Sequence, residues 1–247
     1  MGELTQIIKL DATDSTNLYL KNLLSSTSLK DYTVVVTTNQ RKGRGQMGTV
    51  WESEAGKNLT FSVLKCFESF EAERQFQINM AVSLGLYTAL TELNIPNISV
   101  KWPNDIMSGS KKICGILIEN ILSGSEITKS IIGIGLNVNQ NSFGKLSNAS
   151  SFAMATGRTF DLDFVLQSVL NKLRTFLDPL ESGQALSLKN NYESLLFRKD
   201  VVSTFKSKDE TLFSGIIRGI APSGQLMLEQ EDTTLSFYSL KEVSLQI

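Results

Sequence analysis

The chain reads as an α+β protein: a mixed β-sheet with flanking helices, followed by a small C-terminal β-barrel. Three observations predict this. Lys112 to Ile121 and Lys129 to Val138 are apolar on both faces, as strands at the centre of a covered sheet are. Apolar residues at spacings of three and four run through 71–93 and 162–177, the mark of helices that bury one side. Near residue 198 the texture changes to short apolar runs separated by polar turns such as Ala221-Pro222-Ser223-Gly224, the pattern of a small barrel. The boundary therefore falls at Arg198, with residues 1–197 as the larger unit and 198–247 as the barrel.

Taken in order, Thr5 to Asp11 is a strand, and Asp14-Ser15-Thr16 then offers capping side chains to a helix of about three turns carrying Leu18, Leu20, Leu23 and Leu24. Thr33 to Thr37 is β-branched and reads as a buried strand. Residues 38–57 form a polar, glycine-punctuated loop, and Leu59 to Leu64 resumes a strand. From Glu71 to Leu93, Phe76, Met80, Leu84, Tyr87, Leu90 and Leu93 set out a long amphipathic helix with one core-facing stripe. Strands follow at Ile98 to Lys101, Lys112 to Ile121 and Lys129 to Val138. Asp161 caps a second helix whose stripe runs from Leu162 to Leu177. Pro179 and Gly183 punctuate its end, and a shorter helix covers 184–195. Val201 to Phe205, Leu212 to Ile217, Leu226 to Leu228 and Leu235 to Phe237 supply the barrel strands.

Composition narrows the chemistry. The 247 residues include 24 basic and 25 acidic side chains and no histidine, which removes Ser-His-Asp and Cys-His triads, histidine zinc sites and any imidazole base. Chemistry must run on Lys, Arg, carboxylates, amides, hydroxyls and backbone. Cys66 and Cys114 lack Cys-x-x-Cys spacing, so reduced thiols in a cytoplasmic protein are expected. The N-terminus shows no signal peptide, and no apolar run approaches the ~20 residues of a membrane span. A formal charge of −1 gives no global attraction for polyanions, so any phosphate contact must come from a local patch.

Four constellations stand out. Gln40-Arg41-Lys42-Gly43-Arg44-Gly45-Gln46-Met47-Gly48, closed by Trp51, has glycines that let backbone amides wrap an anion and three cations to attract one. It fits neither the Walker nor the Rossmann pattern, and a solvated connector would account for it equally. In Lys101-Trp102-Pro103-Asn104-Asp105, a lysine at a strand end is held in one orientation by the turn, or else it snorkels to water beside a packed Trp102. Lys111-Lys112-Ile113-Cys114-Gly115-Ile116-Leu117-Ile118-Glu119 and Gly133-Ile134-Gly135-Leu136-Asn137 put glycines in central strands, which suits close approach of a ligand or of a neighbouring strand. Glu119 reads as a metal or ribose ligand, or as a strand-end salt bridge. Ser15-Thr16-Asn17 places three hydrogen-bonding side chains at a helix N-terminus, where one cap would suffice and where a carboxylate also binds well.

In this order and spacing the motifs resemble those of biotin protein ligases over roughly residues 10–140. Ser-Thr-Asn, Gln-x3-Arg in a Gly-Arg-Gly loop closed by Trp, Lys-Trp-Pro-Asn-Asp, Lys-x-x-Gly-Ile-Leu-x-Glu and Gly-x-Gly-x-Asn are all met. The resemblance implies a catalytic domain like those of class II aminoacyl-tRNA synthetases and biotin ligases, with an SH3-like C-terminal barrel. It implies ATP and biotin as substrates with Mg2+, and activation of biotin to biotinyl-5′-AMP. Biotin then passes to a lysine of a biotin carboxyl carrier protein. Ser15, Thr16, Asn17 and Gln40 would bond the ureido and carboxylate ends of biotin. Gly43, Arg44, Gly45 and Gln46 would order over the adenylate. Lys101 would bridge the biotin carboxylate and the α-phosphate, and Gly115 would let biotin pack on backbone. Asn104, Lys112 and Asn137 would lie near ATP and magnesium, with no metal ligand assigned. Asp105 is a carboxylate placed to assist the acceptor amine.

Two departures qualify the resemblance. Relatives often carry a second basic residue where Gln46 stands, which bears on retention of the adenylate. Larger relatives carry an N-terminal DNA-binding domain, for which the position of Ser15 leaves no room. A ligase that binds no DNA and no membrane, as monomer or homodimer, is therefore expected. The rivals are a lipoate or octanoate ligase or transferase of the same superfamily, and a non-catalytic small-molecule-binding module.

Overall fold

The computed structural model describes residues 6–144, 146–182 and 186–246. Thr5, Gly183 and the first two residues expected in the 184–195 helix lie outside the described residues.

The larger unit is built on a seven-stranded sheet. Its strands are β1 (Ile7–Thr13), β2 (Val34–Gln40), β5 (Leu59–Cys66), β6 (Ile98–Lys101), β7 (Asp105–Ser108), β8 (Lys111–Ser123) and β9 (Glu126–Leu136). They lie in the order β1-β2-β5-β9-β8-β7-β6. β1 and β2 are parallel and every other neighbour is antiparallel, so the sheet is mixed. The two runs apolar on both faces, β8 and β9, are its centre.

Helix α1 (Thr16–Ser26) lies on one face, packing its Leu20 with Val35, Leu64 and Ile131 of the sheet. The other face carries α2 (Gln75–Glu92), backed by α4 (Leu162–Leu177) and α5 (Leu186–Ser194), over the main core. A short helix, α3 (Phe152–Thr156), precedes α4. Ser15 caps α1, and Asp161 caps α4 by accepting from Phe164 N at 2.8 Å. Among the described residues no helix is long and apolar enough to cross a membrane.

Three expectations need correction. The helix expected from Glu71 opens with a 3-10 turn and becomes α-helical at Gln75. It also has no single buried stripe: every residue from Ile78 to Leu86 is buried, because sheet and helices enclose it. The loop expected over 38–57 contains the end of β2 and a two-stranded ladder, β3 (Gly43–Arg44) with β4 (Val50–Trp51). β7 follows the Pro103-Asn104 turn, where no strand was expected.

The C-terminal unit is a five-stranded antiparallel sheet in the order β13-β12-β11-β10-β14, consistent with the expected SH3-like barrel. Its strands are β10 (Val202–Ser207), β11 (Leu212–Ile220), β12 (Leu226–Glu229), β13 (Leu235–Tyr238) and β14 (Val243–Leu245), the last not expected from the sequence. It is not a loose appendage. Trp102 Nε1 donates to Gly224 O at 2.9 Å, Ile220 N donates to Glu193 Oε1 at 2.8 Å, and one apolar core runs through both units.

A buried cluster ties the sheet to the end of α4. Lys65 Nζ pairs with Asp31 at 2.8 Å and Asp178 at 3.2 Å, and Tyr32 Oη donates to Asp178 at 2.5 Å. Burial alone pulls the Lys65 ammonium down, but the hydrogen bond and charge of Asp31, with Asp178, leave it above its usual range. Lys65→Ala strands two carboxylates, both partly open to water, and should cost about 2 kcal/mol in urea unfolding. An unchanged midpoint would show that the cluster is a solvated surface group.

Candidate active site

The N-terminus of α1 is sewn onto the sheet by its first residues. Ser15 Oγ accepts from Leu18 N at 3.4 Å, as a cap does. Thr16 N donates to Gln40 Oε1 at 2.9 Å. Asn17 Nδ2 donates to Glu119 Oε2 at 2.7 Å and Leu117 O at 3.3 Å, and its Oδ1 accepts from Ser62 Oγ at 2.6 Å. Glu119 is thus the acceptor that holds Asn17, and the strand-end salt bridge expected of it is not found among the described residues. These contacts leave the three residues buried yet on the wall of a cavity of about 570 Å³.

The floor of that cavity is bare backbone. Gly115 of β8 faces Gly135 of β9 in the ladder, and Leu117 faces Gly133. A Cβ on Gly133 would collide with Asn17 Oδ1, and one on Gly135 would fall inside the Trp51 indole. At Gly115 it would lie 2.9 Å from Trp51 Cζ3. The glycines therefore admit side chains of the same chain, and the Trp51 ring lies over Gly115 and Gly135. Its Nε1 is buried without a hydrogen-bond partner. Gly43 does similar work beneath the loop: a Cβ there would press on Trp51 O and come within 2.7 Å of Gln40 Nε2.

Cations gather beside this floor. β6 ends at Lys101 and the chain turns at once into β7, so Lys101 lies opposite Asp105 across the hairpin. Lys112 Nζ sits 2.6 Å from Asp105 Oδ1 and 5.4 Å from the centre of the Trp51 ring. The first is an ion pair without the alignment of a hydrogen bond. Among the described residues Lys101 makes no ion pair, and burial holds its ammonium below the usual lysine range, with Asp105 opposing and Lys112 adding to the depression. Asn104 clips the turn to β8, donating from Nδ2 to Ile116 O at 2.7 Å. Arg44 reaches the wall from β3.

Of the residues singled out by sequence, Ser15, Thr16, Asn17, Gln40, Arg44, Gly45, Gln46, Lys101, Asn104, Lys112 and Gly115 all line this one cavity. Gly43 and Asn137 do not. Asn137 lies buried behind the wall, donating to Ser150 O at 3.0 Å, with Oδ1 unpartnered. Sequence reading missed the indole over the glycines and the contribution of the barrel, whose Lys206, Lys208 and Lys241 stand on the same wall. Lys-Ser-Lys at a strand end was the available signal, but it matches no motif. Among the described residues no group of three or more His, Cys, Asp or Glu is placed to hold a metal.

Comparison with known proteins agrees with this geometry. The family model of the Biotin/lipoate A/B protein ligase family matches residues 10–137. The bifunctional ligase/repressor BirA of Bacillus subtilis is 29% identical over 221 residues, covering 87% of this chain and 67% of that protein. The biotin--[acetyl-CoA-carboxylase] ligase of Paracoccus denitrificans is 33% identical over 128 residues, 51% of this chain and 52% of that protein. Biotin protein ligase from Aquifex aeolicus, solved in complex with biotin and ATP, superposes with a TM-score of 0.80 at 28% identity, covering 98% of this chain and 99% of its own. With the family model spanning more than half its length, the chain belongs to the biotin/lipoate A/B protein ligase family.

Proposed function

We propose that the protein is an ATP-dependent biotin protein ligase, which forms biotinyl-5′-AMP and passes the biotinyl group to a lysine of a biotin carboxyl carrier protein. The observation that carries this is one cavity whose wall brings two unlike kinds of group together. Ser15 and Gln40 offer uncharged hydrogen-bonding groups, and Arg44, Lys101 and Lys112 bring positive charge. About 570 Å³ is ample for a drug-sized ligand.

The chemistry follows from those charges. A biotin carboxylate oxygen bonds to the α-phosphorus of ATP, and the bond to the bridging oxygen breaks, its electron pair leaving with pyrophosphate. A carboxyl group with a pKa of about 4 is already ionised at neutral pH, so this step needs no base. Its barrier is the meeting of two anions and the charge growing on phosphoryl oxygens, which fixed cations in a partly desolvated site lower. Lys101, half-buried and opposite Asp105 across the hairpin, is placed to take both the carboxylate and the α-phosphate. Magnesium would neutralise phosphate charge when bound, and Asp105 is a carboxylate on the cavity wall that would help hold it. In the second step the carrier amine attacks the acyl carbon and AMP leaves. We further read residues 1–197 as the catalytic domain and 198–247 as the barrel.

Exchange of radiolabelled pyrophosphate into ATP should depend on biotin, and dependence on lipoate alone would overturn the assignment. Lys101→Ala should lower the adenylation kcat/KM by about 10²–10³ with an unchanged melting curve. Because burial depresses Lys101, raising the pH discharges it below the ordinary lysine value of 10.5. The alkaline limb of adenylation should therefore begin under that value, and in Lys101→Arg it should move beyond it, since a guanidinium stays charged. Gln46 is neutral on the cavity wall; Gln46→Arg should slow escape of preformed biotinyl-5′-AMP by about five- to tenfold in a filter-release assay.

A further inference from the structure

The face of β5 that looks toward α1 changes character along its length. Leu64 packs in the apolar cluster with Leu20, Val35 and Ile131. Two residues earlier the same face presents Ser62, which has no exposure to solvent. A hydroxyl buried there costs free energy unless its hydrogen bonds are made. Ser62 belongs to none of the linear motifs of the site and does not line the cavity. It lies opposite Gly133 in the β5–β9 ladder, and Gly133 lies opposite Leu117 in the β8–β9 ladder. The bare glycine leaves a slot between them, into which Asn17 reaches.

Every proton in this slot has one place to go. Asn17 Nδ2 faces two acceptors, Glu119 Oε2 at 2.7 Å and Leu117 O at 3.3 Å, which turns its Oδ1 toward Ser62. An amide oxygen only accepts, so the 2.6 Å contact takes the Ser62 proton. Ser62 Oγ also lies 2.7 Å from Thr16 Oγ1, and with its own proton committed it accepts there from the Thr16 hydroxyl. Gln40 Oε1, 3.4 Å from Thr16 Oγ1 and already bonded by Thr16 N, is too distant to compete. The hydrogen bonds therefore run in one direction, from Thr16 through Ser62 and Asn17 to the Glu119 carboxylate. Thr16, on the cavity wall, keeps only lone pairs for a ligand.

Resting on the ligase reading, we propose that Ser62 is a specificity-determining positioning residue: it holds the Thr16 proton inside the sheet, so that Thr16 receives an N–H of the ligand. The neutral part of the wall then carries opposite polarities side by side. Ser15, whose oxygen accepts from Leu18 N, and Gln40, whose Oε1 accepts from Thr16 N, are left with protons to give. Thr16 is left with an acceptor. A cyclic urea needs both, since its carbonyl accepts and its nitrogens donate. Without Ser62 the Thr16 hydroxyl turns freely and offers a proton as readily as a lone pair, and the discrimination is lost. Glu119 acts at the far end: its carboxylate fixes the Asn17 amide, and through it the direction of the whole chain.

Calorimetric titration with biotin and with its two cyclic carbamate analogues, each carrying ring oxygen in place of one ureido N–H, tests this. Wild-type protein that binds biotin without biotin-dependent pyrophosphate exchange would fail the ligase reading alone, and the dissociation constants would still decide the role of Ser62. Ser62→Ala should weaken biotin about tenfold, with the KM for ATP within about twofold. Toward one of the two carbamates the wild-type protein sets lone pair against lone pair, and should bind it about 100-fold more weakly than biotin. In Ser62→Ala that ratio should fall to about tenfold. On a Thr16→Val background, adding Ser62→Ala should change neither constant by more than about twofold. Ser62→Cys, close in shape but a poor acceptor, should reproduce the pattern if the alanine variant does not fold. Unchanged biotin affinity and carbamate ratio in Ser62→Ala would overturn the proposal. So would losses that persist in full on the Thr16→Val background, which would make Ser62 a support for Asn17 and nothing more.

Discussion

The site depends on a patch of sheet stripped of side chains. Glycine in a strand interior is unfavourable, because it brings backbone freedom and no packing. β8 and β9 nevertheless carry it at 115, 133 and 135, at the middle of the longest ladder in the molecule. The surrounding registers, rich in isoleucine and leucine, supply the pairing and burial that hold these strands in place. What the bare backbone admits is then specific. Gly133 lets Asn17 reach Leu117 O and Glu119, and that contact seats the N-terminus of α1 on the sheet. Gly115 and Gly135 let Trp51 lie flat, which draws the 43–51 loop over the cavity. Remove the glycines and both the helix cap and the loop lose their seats.

Charge is organised on the same plan, by local concentration and not by total. A nearly neutral chain with no histidine has few ways to steady a reaction between anions, and this one gathers cations from three separate stretches: the 40–51 loop, the β6–β8 hairpins and the barrel. Each cation also has a different degree of freedom. Lys112 is committed to Asp105, Lys206 to the exposed Glu210, and Lys101, among the described residues, to no ion pair. Partial burial of an ammonium is costly, and it has lowered the proton affinity of Lys101, with the charge of Asp105 opposing. Such a group is poised for an anion that arrives from outside.

The sequence disclosed the parts of this that are local. Asp161 and its stripe announced α4, the continuous apolar runs announced β8 and β9, and the linear motifs pointed to most of the residues that meet in the cavity. It was silent where tertiary packing decides. α2 is buried on all sides, with Asn79 and Ser83 inside, because three neighbours enclose it, and periodicity reports only a helix's own pattern. β3, β4 and β14 are two or three residues long, too short for alternation to register. The indole of Trp51 on opposed glycines links positions more than sixty residues apart. Lys206 and Lys208 look like ordinary hairpin lysines until the barrel is docked against Trp102.

The unlike groups on the cavity wall also bear on which acid suits it. Asn17 spends its side chain on the protein itself and Thr16 Oγ1 is shared with Ser62 Oγ and Gln40 Oε1, so the donors that remain for a ligand among the neutral groups are the Ser15 O–H and the Nε2 of Gln40, whose Oε1 is taken by Thr16 N. Gly43 keeps space beside that amide. A cyclic urea, which presents a carbonyl acceptor beside two N–H donors, can satisfy such groups, whereas an apolar dithiolane or alkyl chain would leave them buried and unpaired. An unpaired buried polar group costs about 1–3 kcal/mol, enough to turn a shared fold toward one acid over the other. On the proposed function, the same asymmetry would set direction: a ligand with a neutral polar head and an anionic tail would turn its carboxylate toward Lys101.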